Sequence, residues 1–231
     1  DPLNRGANSG VVYLLFGKQG GLGDVDTASA TFGGVDGIVV YGSAGCYIGY
    51  SLACAGDVNG DGIDDMVMGA PFYDALTPTR SSAGMAVVLF GRTADWANVD
   101  LSNFTASSTF GFKIIGEGNG DQLGMSVSGA GDVNGDGYAD LIIGAHNADP
   151  LSRSDAGVAY VLKGHNHTSF VFANLDLKNS AFLAVHGFQI TGANGEKAGR
   201  LITGGVDLNN DSFSDIVVFA EGSKYLYVIF G

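Results

Sequence analysis

Three copies of one acidic nonapeptide recur along the chain at a constant spacing. They begin at Asp57, Asp132 and Asp207 and read DVNGDGIDD, DVNGDGYAD and DLNNDSFSD. Each copy starts 75 residues after the previous one (132 − 57 = 75 and 207 − 132 = 75). Constant spacing over most of the chain indicates an internal structural repeat, so the fold must be built from equivalent units.

Short apolar runs bounded by glycine surround each copy and are typical of β-strands. A first run opens at Gly49, Gly124 and Gly199, just before each acidic loop. The second run lies at 66–71, 141–146 and 216–221. The third run lies at 10–17, 84–91, 157–164 and 225–231. The fourth run lies at 37–42, 111–116 and 187–192. The runs predict 13 strands (2 + 4 + 4 + 3), about four in each complete unit.

Units of four short strands predict an all-β fold, namely a β-propeller of four-stranded antiparallel blades. The period is longer than the ~40 to 50 residues of a usual blade because linkers such as 72–83 and 92–108 are long and polar, and a β-solenoid would need a period of only ~20 to 30 residues. The predicted division is a partial blade at 1–43 (third and fourth strands), blades at 44–117 and 118–193, and a partial blade at 194–231 (first to third strands).

A closed propeller needs at least four blades, and this chain supplies three complete ones at most. Either the two partial units combine into one shared blade, or the chain is a segment of a larger ring. We expect a segment, because both partial units supply the third strand and a shared blade would contain it twice.

Composition restricts the function classes. The chain has 24 acidic and 11 basic residues and a net charge of −13, which argues against nucleic acid or an anionic membrane surface as a partner. No apolar run approaches the ~18 residues of a membrane span. Cys46 and Cys54 are predicted to be buried small hydrophobic residues or to pair with something outside the chain, since an extended segment between them spans ~26 Å, too far for a mutual disulfide.

The acidic nonapeptides, called loops 1 (57–65), 2 (132–140) and 3 (207–215), have the composition of calcium sites. Side-chain oxygens stand at positions 1, 3, 5 and 9, position 7 offers a backbone carbonyl, and glycines at positions 4 and 6 of the first two loops permit a left-handed backbone. The predicted ligands are Asp57, Asn59, Asp61, Ile63 and Asp65 in loop 1, Asp132, Asn134, Asp136, Tyr138 and Asp140 in loop 2, and Asp207, Asn209, Asp211, Phe213 and Asp215 in loop 3.

Calcium (Ca2+) suits these loops better than other cations. Zinc favours His and Cys ligands, which the loops lack, and magnesium favours a stiff octahedron with retained waters. An EF-hand is the competing hypothesis, but its closing Glu at position 12 is replaced by Met68 and Ile143, and the flanking segments are predicted strands. In loop 3, Asn210 and Ser212 replace the glycines, so we expect three sites with the third binding most weakly.

The repeated unit closely resembles the FG-GAP repeats of integrin α-subunit β-propellers. The residues that carry the resemblance are FG at 16–17, 90–91 and 230–231, GAP at 69–71, and the GDVNGDGxxD loops between them. It covers essentially the whole chain and implies a seven-bladed ring with calcium loops between the first and second strands of a blade. The chain departs from the pattern at Lys163, which replaces the Phe of FG, and at 144–146 and 219–221, where GAP becomes GAH and FAE.

The predicted function is that of a calcium-stabilised extracellular module for adhesion or assembly, and not an enzyme. His146, His165, His167 and His186 are scattered, and none belongs to a recognisable catalytic arrangement. Protein partners would bind a face formed by the linkers 18–36, 72–83, 92–108, 147–156 and 165–182, and further blades or a second chain would complete the ring. Acceptor triplets for N-glycosylation begin at Asn103 and Asn166 and are compatible with a secreted glycoprotein.

Two alternatives remain open. FG-GAP-like repeats also accompany extracellular hydrolases, so the chain could be the accessory propeller of an enzyme whose active site lies in another domain. A sugar-binding propeller is the second alternative, and it would need an aromatic platform in every blade. Trp96 has no counterpart at equivalent positions, which counts against sugar binding.

Overall fold

The computed structural model describes residues 6–21, 24–27, 37–93, 96–168, 170–179 and 183–231. Its strands are β1 (Val11–Leu15), β2 (Gly37–Tyr41), β3 (Ser51–Gly56), β4 (Asp65–Ala70), β5 (Ala75–Leu76), β6 (Thr79–Arg80), β7 (Met85–Leu89), β8 (Val99–Asp100), β9 (Gly111–Ile115), β10 (Ser126–Gly131), β11 (Asp140–Ala145), β12 (Val158–Leu162), β13 (Leu175–Asp176), β14 (Gly187–Thr191), β15 (Ala198–Val206), β16 (Asp215–Ala220) and β17 (Tyr225–Ile229). A 3₁₀ turn (Pro150–Ser152) and helix α1 (Leu183–His186) complete the described elements, and neither helix has the length or hydropathy needed to cross a bilayer.

Four sheets follow one another along the chain. Their strand orders are β1-β2-β8, β13-β9-β7-β4-β3, β10-β11-β12-β14 and β15-β16-β17, and a separate hairpin pairs β5 with β6. All 13 apolar runs form strands, and every pair among these 13 strands is antiparallel. The architecture is therefore a partial β-propeller, as the sequence predicts. The blade boundaries drawn from the repeat period stay predictions.

Two short strands, β8 and β13, lie in the linkers 92–108 and 165–182, for which the sequence predicted no strand. Strand β8 pairs in parallel with β2, and β13 pairs in parallel with β9, so each linker extends the outer edge of the preceding sheet. The side-chain oxygens of Asn98 and Asn174 accept the N–H groups of Val39 and Lys113, both at 2.9 Å. The signal was present in the sequence, since ANVDL at 97–101 recurs as ANLDL at 173–177.

One of these linkers is fastened by a buried ion pair. The Arg80 guanidinium in β6 is only 2% exposed and forms two hydrogen bonds of 2.7 Å with the carboxylate of Asp176 in β13. A third bond, of 3.3 Å, runs from Arg80 to the carbonyl of Glu117. Such a two-pronged guanidinium–carboxylate contact fixes geometry as well as charge. It joins the β5–β6 hairpin to β13, the outer strand of the second sheet.

The hydrophobic core lies between successive sheets. The first and second sheets enclose a cluster that includes Val40 and Met68, and the second and third enclose a larger one with Phe90 and Ile143. The third and fourth sheets enclose a smaller cluster that includes Val161 and Val218. Each sheet thus buries its apolar face against the next one, which is how radial repetition stabilises short strands.

Glycines in β4 and β11 let the next sheet approach closely. A Cβ atom on Gly69 would lie 2.0 Å from the carbonyl oxygen of Gly124, and one on Gly144 would lie 2.0 Å from that of Gly199. The same carbonyl oxygens accept hydrogen bonds of 2.8 Å from the hydroxyls of Ser51 and Ser126. The glycine of the GAP motif therefore provides the space into which the next sheet's backbone fits.

In the fourth sheet this row of small residues becomes bulky. The cross-strand row is small in the second sheet (Ser51, Gly69 and Ala86) and in the third sheet (Ser126, Gly144 and Ala159). In the fourth sheet the equivalent row is Leu201, Phe219 and Leu226. Gly131, which adjoins Gly205 of β15 and Ser214 of loop 3, is replaced one period later by Val206. Leu201, Leu226 and Val206 are 59%, 63% and 49% exposed.

The structure corrects two expectations. Cys46 is buried as predicted and its thiol lies 3.2 Å from the carbonyl oxygen of Ser9, but Cys54 is exposed, and both are free. The linkers also do not form one face. Linker 72–83 bonds to the turn that holds Asn119, at the end away from the acidic loops, whereas the start of 165–182 bonds to loop 1 itself. Residues 22–23, 28–36, 94–95, 169 and 180–182 of the predicted face lie outside the described residues.

His146, which replaces the proline of GAP, makes folding stability depend on pH. It is 7% exposed, and its Nδ1 has no hydrogen-bond partner among the described groups. Burial, reinforced by Arg200 and Lys197, lowers its pKa from 6.5 to about 4. The folded state therefore binds fewer protons than the unfolded state between these values, and this group's contribution falls as the pH drops through that range.

We expect His146→Phe to remove this contribution. At about pH 4 the parent should lose at most about 3 kcal/mol of unfolding free energy through His146 relative to pH 7, and the variant should not. Urea unfolding of both proteins at several pH values in chelator checks this, since other titrating groups cancel in the difference. A difference that does not change with pH would contradict the expectation.

Candidate metal centres

Loop 1 folds around its own acidic side chains. The carboxylate of Asp57 accepts the N–H groups of Asp61 (3.0 Å) and Gly62 (2.8 Å). The Asn59 side-chain oxygen accepts the N–H of Asp61 at 2.9 Å, and the Asp61 carboxylate accepts that of Ile63 at 2.9 Å. Gly60 and Gly62 have φ values of 70° and 85°, the left-handed backbone predicted for them. Positions 1, 3 and 5 thus turn towards the inside of one coil.

Loops 2 and 3 repeat this geometry. The position 1 carboxylates, Asp132 and Asp207, accept the N–H groups at positions 4, 5 and 6 at distances of 2.6 to 3.2 Å. The other equivalent bonds join Asn134 to Asp136, Asp136 to Tyr138, Asn209 to Asp211 and Asp211 to Phe213. Asn210 and Ser212 adopt φ values of 63° and 77° where the other loops have glycine. Loop 3 therefore holds the same coil with residues that disfavour it.

The acid at position 9 closes each loop onto the third strand of its sheet. One oxygen of Asp65 accepts the N–H of Val58 (2.9 Å), and the other accepts that of Gly91 (2.8 Å). The equivalent bonds of Asp140 go to Val133 and Gly164, and those of Asp215 go to Leu208 and Gly231. The glycine of the FG motif is therefore the donor that holds the closing acid. This role was not predicted, although the sequence shows a glycine after each third strand.

Two of the buried closing acids, Asp65 and Asp140, have raised pKa values. Burial, together with smaller effects of the Asp61 and Asp57 carboxylates, raises the pKa of Asp65 to about 7 despite its two amide bonds. The pKa of Asp140 rises to about 6 for the same reasons, burial first and then Asp136 and Asp132. A cation in either loop would oppose both effects, because it stabilises the ionised carboxylate.

The donor set of each loop fits a hard divalent cation. Each combines three carboxylates, one amide oxygen and the carbonyl of position 7, and all of these are oxygen ligands. Across the described residues, however, no three carboxylate, imidazole or thiolate groups converge into a ready-made metal cluster. Side-chain oxygens at positions 1, 3 and 5 instead accept backbone N–H groups. Calcium, if bound, would supply positive charge that draws these oxygens together, while the closing acid holds the loop to its sheet.

Three of the histidines lie beside these loops or next to one another. Nε2 of His165 lies 3.3 Å from Nδ1 of His186, and both rings pack against Phe170. Nδ1 of His167 lies 3.3 Å from the carbonyl oxygen of Asn59 in loop 1. His165 and His167 thus face different partners.

Comparison with known proteins agrees with the geometry. The model of the FG-GAP repeat matches residues 49–89 and 123–162. Integrin alpha pat-2 of Caenorhabditis briggsae is 31% identical over 185 residues, integrin alpha-PS2 of Drosophila melanogaster 27% over 190 and integrin alpha-V of Gallus gallus 33% over 192. These alignments cover 76%, 80% and 78% of this chain but only 13%, 12% and 15% of the relatives. The chain therefore contains FG-GAP repeats and is similar, over about three quarters of its length, to part of the integrin α-subunits.

Proposed function

We propose that the chain is a calcium-stabilised, extracellular interaction module that takes part in protein binding or assembly, as an integrin-α-like propeller. The observation that carries the proposal is the threefold recurrence of one loop geometry, with the same oxygen donors at the same positions, in a chain similar to integrin α-subunits. Three loops of the same geometry are hard to explain as solvated turns that bind no metal. Each loop brings several negative charges close together, and this lowers stability unless a cation offsets it.

The role proposed for calcium is structural. The described contacts tie each loop to the strand that follows it and to the third strand of its sheet, so a cation that orders the loop also orders the blade edge. Loops of this kind can work at the high calcium concentrations outside cells, where weak sites are filled. This supports an extracellular location.

The negative net charge of the chain makes a protein a better candidate partner than a negatively charged polymer. The net charge of −13 disfavours nucleic acid, and any partner would bind through loops at the ends of the sheets. Further blades or a second chain would complete the ring. For a glycoprotein, Asn103 is the better of the two acceptors because it is exposed, whereas Asn166 is half-buried with its side-chain oxygen bonded to Thr168.

Substitution of Asp61, at position 5 of loop 1, tests the metal role. We expect Asp61→Ala to lower the stabilisation gained on adding calcium by about 2 to 3 kcal/mol when calcium is at ~100 times its dissociation constant. Asp64→Ala is the matched control, since Asp64 is an exposed acid in the same loop at a position that offers no ligand. Thermal unfolding with calcium and with chelator separates the two effects.

The result in chelator decides the interpretation. If Asp61→Ala destabilises the protein equally with calcium and with chelator, the acid acts through its hydrogen bonds to Ile63 and Asn59 alone and the metal role is wrong. In the parent, a calorimetric titration should resolve two stronger sites and a weaker third in loop 3, because Ser212 disfavours its left-handed conformation.

A further inference from the structure

The calcium loops of neighbouring units touch each other in series. The N–H of Ala139, at position 8 of loop 2, donates to the carbonyl oxygen of Asp57, at position 1 of loop 1, at 3.1 Å. One period later, the N–H of Ser214 in loop 3 donates to the carbonyl oxygen of Asp132 in loop 2 at 3.0 Å. Each loop therefore holds the first ligand residue of the loop before it.

An aromatic ring fills the space above a glycine of the preceding loop. A Cβ atom on Gly60 of loop 1 would lie 2.4 Å from Cε1 of Tyr138, and one on Gly135 of loop 2 would lie 2.6 Å from Cε1 of Phe213. Tyr138 and Phe213 stand at position 7, whose backbone carbonyl is a predicted ligand. The residue that offers a carbonyl to its own loop thus packs its side chain on the neighbouring loop.

A short strap, residues 164–168, ties loops 1 and 2 a second time. It begins at Gly164, whose N–H donates to the closing acid of loop 2, Asp140, at 2.8 Å. Its next residues then bond to loop 1, since the N–H groups of His165 and His167 donate to the carbonyl oxygens of Val58 (2.9 Å) and Asn59 (2.7 Å).

The strap also returns to loop 2. The side-chain amide of Asn166 donates to the hydroxyl of Tyr138 at 3.3 Å, so the ring that packs on Gly60 is itself held by the strap. Asn59, whose carbonyl receives the strap, is fully buried. Neither loop can change its backbone without disturbing groups that support the other.

We propose that loops 1 and 2 bind divalent cations with positive cooperativity, through the Tyr138 ring, the Ala139–Asp57 hydrogen bond and the strap. The inference rests on the proposed calcium-binding function and adds a regulation to it. A cation that orders loop 2 also orders the backbone of loop 1 and so removes part of the entropic cost of binding there. Linkage requires the effect to be equal in both directions.

Calcium titration calorimetry on the full chain tests the coupling, with loop 3 disabled by Asp211→Ala in every variant. The affinity of loop 1 is measured with loop 2 disabled by Asp136→Ala, and that of loop 2 with loop 1 disabled by Asp61→Ala. The protein with loops 1 and 2 intact gives two stepwise dissociation constants. We expect the product of the two constants measured for the isolated loops to exceed the product of these stepwise constants by about fivefold or more. Products equal within about twofold would overturn the proposal while leaving calcium binding intact.

Side-chain variants at position 7 provide the matched control. In the background with loop 3 disabled, Tyr138→Ala should reduce the coupling to within about twofold, and Tyr138→Phe should retain most of it because the ring remains. Ile63→Ala truncates the same position in loop 1, where the side chain faces Gly91 of its own sheet, and should leave the coupling unchanged. Coupling that survives Tyr138→Ala would overturn the assigned route.

The possible failures are distinguishable. Absence of any binding heat in the parent and in all variants would refute the proposed function itself. Binding of two equivalents that are independent would refute only the cooperativity. Melting temperatures in chelator confirm that each variant folds, and if Asp136→Ala unfolds, Asp132→Asn disables loop 2 with a side chain of the same shape.

Discussion

Replacing Gly144 by alanine is expected to destabilise the protein severely. The added Cβ would lie 2.0 Å from the carbonyl oxygen of Gly199 and 2.5 Å from the hydroxyl oxygen of Ser126. Because the carbonyl belongs to the backbone of the next sheet, relief requires the third and fourth sheets to move apart. We expect a loss of at least about 4 kcal/mol of unfolding free energy, in the range where single substitutions report a severe packing fault.

Gly17→Ala is the control for this prediction. Nothing lies within 4 Å of a Cβ atom at Gly17, and its backbone is outside the left-handed region, so we expect a change within about 0.5 kcal/mol. Denaturant unfolding of the parent and both variants in calcium provides the measurement. Equal stability of Gly144→Ala and the parent would show that the sheets do not approach as described.

Replacing Asp176 by alanine is expected to have the second largest effect. The change leaves the Arg80 guanidinium, 2% exposed, without its carboxylate partner. Removing one partner of a buried pair is costly because the remaining charge stays away from water. Since Asp176 itself is 32% exposed and Arg80 keeps its bond to Glu117, we expect a loss of about 2 to 4 kcal/mol, somewhat below that of a fully buried pair.

The pair formed by Lys197 and Asp155 is the natural comparison. Its atoms are 3.8 Å apart and its side chains are 35% and 57% exposed, so we expect Asp155→Ala to cost no more than about 1 kcal/mol. The double variant Arg80→Met with Asp176→Ala should recover part of the loss, since it removes the stranded charge. Equal losses for Asp176→Ala and Asp155→Ala would contradict the importance assigned to the buried pair.

The strands and loops could be predicted because residues within each segment determine its local structure. Runs such as LIIGA at 141–145 have strand-forming residues bounded by glycine, and the acidic nonapeptide brings its own turn residues. The two-residue strands β8 and β13 were not predicted, since they are too short for a periodic pattern and exist only through pairing with another sheet. Comparing copies of ANVDL and ANLDL would have revealed them.

The contacts between loops could not be read from the sequence. Tyr138 packs on Gly60 and Ala139 bonds to Asp57, and such residues, 78 and 82 positions apart (138 − 60 and 139 − 57), meet only because successive sheets stack in one orientation. Likewise the FG glycine shows its role only when the third strand returns beside the loop. Cys54 is exposed although it lies in an apolar run, because burial depends on which face of β3 is covered.

Because of its row of bulky residues, the fourth sheet offers a different packing surface from that of the second and third sheets. The second and third units carry serine, glycine and alanine where the following unit fits, so each can be followed by another copy of its kind. Leu201, Phe219 and Leu226 occupy that space in the fourth unit, and Asn210 replaces the glycine on which a following aromatic ring would rest. The units are therefore not interchangeable modules: a partner that packs on the outer face of the fourth sheet must fit bulky side chains in place of the serine, glycine and alanine of the other two.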